Sequence, residues 1–391
     1  MTQTIPLAWY SSEAVLESEK KLLRKMPQYR GHASMVPKLN DYHTLASTQN
    51  TQMLIHNQNG AQVLSNLCRH RHAVMLEGRG NQKSILCPAH CWRYSPQGEL
   101  LNAPYFEKIP KLPLHPVECS SWQGLLFETS EPVASHIDSP HLNRIMDFSS
   151  YAFHSSQTLT CNYNWKTFIE TYLEIYHVKA IHPGLRNFID CDELKWSFGE
   201  KYSSQSVRIH PSWKTHGGSP SHQIWQSLLC QYNQNENPPY GAEWMLYYPN
   251  TMIEHYPHAI VVSVVTPDTP SQCTNYVDFY HPQSMVDAKH PYCKAFQDAY
   301  LETAGEDDVI CQKMDAGRKA CLENNQLESG PFQTPLEDGI AHFHNFWVRE
   351  MNSHQLFEQA PHFRSHVFPG QGIEQIGSQI ADAIPRIDSL A

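Results

Sequence analysis

Residues 66–94 read NLCRHRHAVMLEGRGNQKSILCPAHCWRY, and this stretch decides the fold of the first part of the chain. It carries Cys68 and His70 as Cys-x-His and, after sixteen intervening residues, Cys87 and His90 as Cys-x-x-His. Short β-type runs separated by turns surround both pairs, from about residue 40 to about residue 130. Two hairpin-like loops that each offer one thiolate and one imidazole can hold a single inorganic centre. The stretch therefore predicts a small β domain built around such a centre.

Two kinds of centre accept two Cys and two His. In a Rieske [2Fe–2S] cluster two thiolates hold one iron and two imidazoles hold the other, which raises the reduction potential relative to clusters with four Cys ligands. A structural zinc ion also accepts this ligand set. Common zinc fingers pair Cys with Cys and His with His, whereas each loop here carries one of each. The spacing favours the Rieske cluster over zinc.

A second group of metal-type residues lies in NYNWKTFIETYLEIYHVKAIHPGL, residues 162–185. Glu170, Glu174 and His177 follow one another at i, i+4 and i+7, which predicts one face of a helix. His182 comes five residues later, beside Pro183, so it reaches the same point only if the helix unwinds there. Two His and one carboxylate with open coordination positions form the facial triad of non-haem Fe(II) oxygenases. Taken alone, the pattern also fits an ordinary amphipathic helix.

The two motifs, in this order, resemble those of the bacterial Rieske ring-hydroxylating oxygenase α-subunits. The first loop pair resembles their Rieske domain, including Arg71 and Pro88, and departs from it at Ala89 and Cys91. Neither departure removes a ligand. The second motif resembles the family signature Asn-Trp-Lys…Glu-x-x-x-Asp/Glu-x-x-His-x4-His, which is matched by Asn164, Trp165, Lys166, Glu170, Glu174, His177 and His182.

The resemblance implies a role for each matched residue. Cys68, His70, Cys87 and His90 would bind the [2Fe–2S] cluster, and His177 and His182 would bind a mononuclear Fe²⁺. Glu174 would be the bridging carboxylate, which accepts a hydrogen bond from a cluster-binding His of a neighbouring subunit.

The third iron ligand is expected in GEDDVICQKMDAG, residues 305–317. Alignment of Gly317 with the family pattern places it at Asp307. Asp308 is the competitor, because a slip of one residue turns a helical side chain by about 100°. Both acids also fit a solvated helix start.

The fold class implied by the resemblance is α+β. Residues 1–39 are predicted to form a helical segment that packs with the catalytic domain, and residues 40–130 a small antiparallel β Rieske domain. Residues 131–391 are predicted to form a helix-grip catalytic domain with a long antiparallel sheet.

Composition limits the partners. The formal net charge of −10 argues against nucleic acid. No apolar run is long enough to cross a membrane, no secretory signal is evident, and the odd number of cysteines, 11, suggests reduced thiols, so a cytoplasmic protein is expected. No dinucleotide-binding motif is apparent. Electrons would have to come from an NAD(P)H-dependent reductase, with or without a ferredoxin, and the resemblance implies a homotrimer, with a β-subunit left open.

The expected activity is that of a terminal oxygenase that uses O₂ to hydroxylate a small organic substrate. An aromatic compound is the favoured substrate, as in the largest class of the family. Glu174 and the stretch SGPFQTPLEDGIAHFH, residues 329–344, also resemble the branch that acts on choline, betaine or carnitine, so a monooxygenase or demethylase of quaternary amines is the alternative. The aromatic residues of the later strands are not assigned individually to a substrate pocket.

Overall fold

Short antiparallel strands form the first part of the computed structural model, which describes residues 3–354 except positions 138 and 216. They pair as a five-stranded sheet of order β5-β2-β3-β4-β9 and two three-stranded sheets, β1-β11-β10 and β6-β7-β8. Their bounds are β1 (Gln28–His32), β2 (Asp41–Thr44), β3 (Gln52–Asn57), β4 (Gly60–Ser65), β5 (Arg79–Asn81), β6 (Ile85–Leu86), β7 (Arg93–Tyr94), β8 (Leu100–Asn102), β9 (Pro116–Val117), β10 (Cys119–Trp122) and β11 (Leu125–Glu128).

The second part is built on a seven-stranded antiparallel sheet of order β12-β18-β17-β16-β15-β14-β13. Its strands are β12 (Tyr151–Cys161), β13 (Ile189–Phe198), β14 (Tyr202–Ile209), β15 (Ala242–Tyr247), β16 (Thr251–Tyr256), β17 (Ala259–Thr269) and β18 (Gln272–Pro282). The helices are α1 (Glu13–Leu23), α2 (Val133–His136), α3 (Pro140–Ile145), α4 (Trp165–Tyr172), α5 (Val178–Ile181), α6 (Leu185–Phe188), α7 (Pro220–Tyr232), α8 (Gln283–Asp287), α9 (Pro291–Glu323) and α10 (Asp338–Ser353). The α+β fold with a small β domain and a long antiparallel sheet is confirmed.

Side chains that alternate between the two faces of each strand define the layers of the molecule. In β3, Leu54 faces a hydrophobic layer shared with the large sheet, whereas Met53 packs on the other side with Cys68 and Cys87. In β16, Ile253 faces that shared layer, and Met252 packs against the helices on the opposite side. Because side chains in a strand point alternately to opposite faces, both sheets and the layer between them separate the two Cys-His loops from the helical side of the large sheet.

Helix α9 covers that helical side. Tyr292, Phe296 and Ala299 are buried against the sheet at spacings of four and three residues, and Cys311 continues the same face further along. Asp307 lies on this face, one turn before Cys311. The acidic string at residues 305–308 is therefore inside a long helix and not at its start, which rules out the interpretation as a solvated helix N-terminus.

The N-terminal segment, predicted as helical over residues 1–39, contains both a helix and a strand. Helix α1 does pack with the catalytic part, because Val15, Leu22 and Leu23 join the core that contains Trp165 of α4. Residues 28–32, however, form β1, which pairs with β11 at the end of the β domain. The exact domain boundaries stay a prediction, and residues 355–391 of the expected catalytic domain lie outside the described residues. Among the described helices, none is long and apolar enough to span a membrane.

Candidate metal centres and substrate cavity

The two Cys-His loops have the same backbone geometry. In the first, the N–H of Cys68 donates to the carbonyl of Ala73 at 2.9 Å, and the carbonyl of Cys68 accepts from the N–H of His72 at 2.9 Å. In the second, Cys87 makes the matching pair of bonds with Trp92 and Cys91, at 2.8 and 3.1 Å. His72 and Cys91 both adopt left-handed backbone conformations, with φ of 61° and 57°. Each loop therefore folds back on its own cysteine.

The loops bring all four predicted cluster residues together. Cys68 and Cys87 are buried and in contact, while the rings of His70 and His90 lie 4.7 Å apart nearer the surface. His70 stacks on Trp92, and its buried Nδ1 has no hydrogen-bond partner. Two adjacent thiols and an unpaired imidazole nitrogen fit a group that takes thiolate and imidazole ligands, as the Rieske cluster does.

The prediction that Glu170, Glu174 and His177 share one face of a helix is wrong. Helix α4 ends at Tyr172 and helix α5 begins only at Val178. In between, Glu174 Oε2 accepts a hydrogen bond from the N–H of His177 at 3.0 Å, which replaces a helical hydrogen bond. Glu170 consequently does not share a face with Glu174, and its carboxylate instead joins a buried ion pair with Arg318. The break is what allows His177 and His182 to meet.

His177, His182 and Asp307 converge on one point. The two histidine Nε2 atoms lie 3.0 Å apart, and Asp307 Oδ1 lies 3.3 Å from that of His177 and 2.9 Å from that of His182. These are the three described residues whose ligand atoms are close enough to share an ion. Asp308 is turned away, and its Oδ1 accepts a hydrogen bond from the Tyr163 hydroxyl at 2.6 Å. Of the two candidates left open by the sequence, the geometry brings Asp307 to the histidines.

The spacing of these atoms fits a metal ion. Two bonds of about 2.1 Å at right angles separate their ligand atoms by about 3 Å, which matches all three distances. Burial by itself would lower the pKa of His177, but Asp307 and Glu174 outweigh it and raise that pKa to about 10. Burial likewise opposes the charged form of Asp307, whereas both histidines lower its pKa. A group this rich in negative charge favours a cation at its centre.

Each histidine is oriented by a second carboxylate. His177 Nδ1 pairs with Glu174 Oε1, and His182 Nδ1 pairs with Glu306 Oε2 at 2.7 Å. A carboxylate on the far nitrogen of a metal-binding His fixes the ring so that the other nitrogen faces the ion. Sequence reasoning did not identify Glu306, because Glu306 and His182 are far apart in the chain. Only the packing of α9 brings the two side chains together. In the single chain Glu174 contacts His177, and its predicted bond to a neighbouring subunit remains a prediction.

A cavity of about 410 Å³ adjoins the three convergent residues. Four carboxylates line it, those of Glu174, Glu254, Asp307 and Asp308, and no Lys or Arg is found among the described residues of its wall. Much of the remaining wall is aromatic, with Tyr172, Trp225, Trp244, Tyr256, Phe296 and Tyr300. The cavity therefore combines acidic and aromatic surfaces.

Glu254 is the acidic residue of the cavity that sequence reasoning missed. It lies at the centre of β16, where Met252, Glu254 and Tyr256 alternate with residues that face the other side of the sheet. Tyr256 donates to its Oε2 at 2.6 Å and Tyr300 to its Oε1 at 2.8 Å. Burial raises the pKa of Glu254 to about 7, although both tyrosines lower it. A single carboxylate among the residues TMIEHY of this strand was the available signal.

Comparison with known proteins agrees with this geometry. The family model described as "Rieske [2Fe-2S] domain" matches residues 27–113, and "Ring hydroxylating alpha subunit (catalytic domain)" matches residues 148–353. The chain is 45% identical to putrescine 2-hydroxylase of Ralstonia nicotianae over 89% of its length and 95% of that protein. It is 40% identical to putrescine 2-hydroxylase of Bordetella bronchiseptica, over 89% and 84% of the two chains. A solved structure of a quaternary ammonium Rieske monooxygenase has a similar fold, with a TM-score of 0.71 at 19% identity over 89% and 95% of the chains.

Proposed function

The chain belongs to the Rieske ring-hydroxylating oxygenase α-subunit family, and from this we propose that it hydroxylates a short aliphatic diamine such as putrescine. The family membership makes it an oxygenase with a Rieske [2Fe–2S] cluster and a mononuclear non-haem iron. The observation that carries the substrate proposal is the cavity wall with four carboxylates and no described Lys or Arg. A dicationic substrate complements such a wall.

The diamine replaces the aromatic compound that the sequence favoured. Two relatives at 40% identity or more are putrescine 2-hydroxylases, which supports an aliphatic amine. The quaternary amine alternative shares the positive charge and suits the aromatic wall through cation–π contacts. A primary ammonium has in addition N–H donors for carboxylate oxygens, which a quaternary ammonium lacks. The acidic wall therefore favours the primary amine.

The residues have separate roles in the proposed reaction. Cys68, Cys87, His70 and His90 would hold the cluster, and the iron ligands would be His177, His182 and Asp307. When bound, the cluster supplies single electrons and the iron supplies activation of O₂. Glu174 and Glu306 would fix the rings of His177 and His182, and the aromatic wall would exclude water from the reacting carbon.

The overall reaction balances with an external reductant. One C–H bond of the diamine breaks and one C–O bond forms, while the second oxygen atom of O₂ leaves as water. This takes two electrons and two protons in addition to the C–H hydrogen, which becomes the hydroxyl hydrogen. An NAD(P)H-dependent reductase, with or without a ferredoxin, would supply the electrons by oxidising NAD(P)H.

The layered architecture supports an assembly of several copies. Two sheets separate the loops with His70 and His90 from the proposed iron ligands of the same chain. Packed sheets lie about 10 Å apart. A hydrogen bond from either histidine to Glu174 requires a donor–acceptor distance of about 3 Å, which only another copy of the chain could provide. We propose a ring of identical subunits, a homotrimer as in the family, in which electrons pass between subunits.

A substrate test decides the proposal. The purified protein, loaded with cluster and iron, is supplied with a surrogate reductase and NADH and incubated separately with 1,4-diaminobutane, carnitine, choline and benzoate. With the diamine, the product detected by mass spectrometry should carry one added oxygen atom, and its amount should equal the amount of O₂ consumed. The other three compounds should not give coupled turnover. Coupled turnover of carnitine, choline or benzoate without turnover of the diamine would contradict the proposal.

A further inference from the structure

Glu254 is a buried carboxylate with no described cation beside it. Its side chain lies in the cavity wall, and the residue is 3% exposed. Each carboxylate oxygen accepts one hydrogen bond, from Tyr256 and Tyr300, and an ionised carboxylate has about four acceptor positions. Acceptor capacity therefore remains for a ligand in the cavity.

The surroundings of Glu254 oppose an isolated negative charge. Trp244 lies directly opposite Glu254 on the neighbouring strand, and its indole N–H donates to the Tyr256 hydroxyl at 2.7 Å. Removing a carboxylate from water is costly unless a cation or a full set of donors compensates. The raised pKa of Glu254, about 7, reflects this deficit. A cation that enters the cavity would supply the missing positive charge.

The position of Glu254 suits one end of a short chain. Tyr300, which donates to Glu254, and Asp307 lie seven residues apart on α9 and both line the cavity. Seven helical residues span about 10 Å along the axis. Glu254 is therefore held by a different part of α9 from Asp307, although the two carboxylates are near enough to interact electrostatically.

Two further polar atoms mark the same cavity. The side-chain oxygens of Gln205 and Asn275 are buried without a hydrogen-bond partner, and both residues line the wall. Buried unpaired acceptors are rare in folded proteins. They add acceptors for N–H donors, which are present on a primary ammonium and absent from an aromatic hydrocarbon.

We infer that Glu254 binds one ammonium group of the diamine, held in place by Tyr256 and Tyr300, and thereby determines which carbon of the chain faces the iron site. This inference rests on the proposed diamine substrate. Glu254 is a specificity residue that touches the substrate away from the reacting carbon. Its loss should therefore weaken binding more than it slows the chemical step.

The test is equilibrium binding of 1,4-diaminobutane to the cluster- and iron-loaded protein without O₂, measured by calorimetry. Glu254→Gln keeps the size and hydrogen-bonding ability of the side chain and removes its charge. Loss of one partner of a buried hydrogen-bonded charge pair typically weakens binding by about 30-fold or more, so Kd should rise by at least that factor. In turnover, KM should rise by a similar factor and kcat should change less.

Glu243→Gln is the matched control. Glu243 is an equally buried glutamate on β15, bonded to Ser204, Ser206 and His141, and it is not part of the cavity wall. Its substitution should leave Kd within about threefold of the wild type, since a change outside the cavity wall leaves the contacts between protein and diamine intact. Cluster absorption and circular dichroism establish that each variant is folded.

The outcomes separate the two proposals. If the wild type neither binds nor hydroxylates a diamine, the proposed function is wrong and the inference about Glu254 falls with it. If the wild type does both and Glu254→Gln binds the diamine equally well, the inference alone is overturned. If Glu254→Gln fails to fold, the deciding measurement is the release of protons when the diamine binds to the wild type. Absence of proton release near pH 6.5 would also overturn the inference.

Discussion

Binding of a diamine should release a proton from Glu254 below neutral pH. Free Glu254 has a pKa raised to about 7 by burial, and an ammonium group pairs with its ionised form only. Ligand binding therefore removes the proton wherever the free enzyme still holds it. Affinity should increase as pH rises towards 7 and become constant above about pH 8.

The magnitude follows from that pKa. At pH 6.5 a group with a pKa of 7 is about three-quarters protonated, so each diamine bound should release about 0.75 proton. At pH 8.5 the release should be close to zero. If only the ionised form binds, Kd should fall about tenfold between pH 6 and pH 8.

Among the described residues, the four groups with the electrostatic link to Glu254 that the structure shows do not titrate in this range. Burial raises the pKa values of Tyr256, Tyr300 and Tyr172 well above their ordinary value, so these phenols stay neutral. Asp307 faces the same cavity, but His177 and His182 lower its pKa, so it stays ionised. The alkylammonium groups of the ligand remain charged below about pH 9.

Calorimetry in two buffers of different ionisation enthalpy measures the released proton directly. The heat should depend on the buffer at pH 6.5 and not at pH 8.5, and the dependence should disappear in Glu254→Gln. A buffer-independent heat at pH 6.5, or an unchanged release in Glu254→Gln, would refute the assignment of the ammonium to Glu254.

Three further predictions concern the iron site and the core. Asp307→Asn should reduce bound iron at least about tenfold, whereas Asp308→Asn should retain it, as measured by metal analysis after dialysis. Glu306→Gln should weaken iron binding by about 10- to 100-fold, in a chelator competition assay, because it releases the far nitrogen of His182, a proposed iron ligand. Glu19→Gln should destabilise the fold by about 3 kcal/mol or more in urea unfolding, because it leaves fully buried Lys166, 2.9 Å away, without its counterion. Combination with Lys166→Met should recover much of that loss.

These predictions have distinct controls. Acid-labile sulfide should be unchanged in the three acidic-residue variants of α9, since the loops proposed to bind the cluster lie beyond the sheet. Equal iron loss in Asp307→Asn and Asp308→Asn would contradict the choice between the two acids. If the double variant Glu19→Gln/Lys166→Met is no more stable than Glu19→Gln, the hydrogen bonds of the buried pair, and not its charge, dominate its contribution to stability.

The sequence predicted those parts of the site that are local in the chain. Cys68 and His70 share one short loop and Cys87 and His90 another, so their spacing alone indicates a common centre. The short β-type runs between about residues 40 and 130 likewise indicated the small β domain. The same reasoning failed at residues 173–177, because Glu174 interrupts the helix through its own side chain, and propensity does not anticipate that bond.

The parts set by tertiary packing were beyond the sequence. The resemblance favoured Asp307 over Asp308, but only the face of α9 that meets the sheet explains why Asp307 lies at the histidines. Glu306 reaches His182 only across that contact. Among the aromatic residues of the strands, Trp244 and Tyr256 line the cavity, while Tyr247 and Tyr280 pack in the layer between the sheets. One residue of difference along a strand reverses its face, so composition alone could not separate these roles.

The charges of the cavity link the metal site to the choice of substrate. Its wall carries four carboxylates, and no described Lys or Arg offsets them. A divalent iron ion would compensate two negative charges, and under the proposed function a diamine with both amines protonated would compensate the other two. A neutral aromatic substrate would supply no positive charge to the remaining carboxylates, which is unfavourable for the buried Glu254. The acidic excess therefore discriminates between substrates by charge before any shape complementarity acts. Glu254 has two tyrosine partners and no described cation or histidine partner, so the discrimination is expected to be strong there.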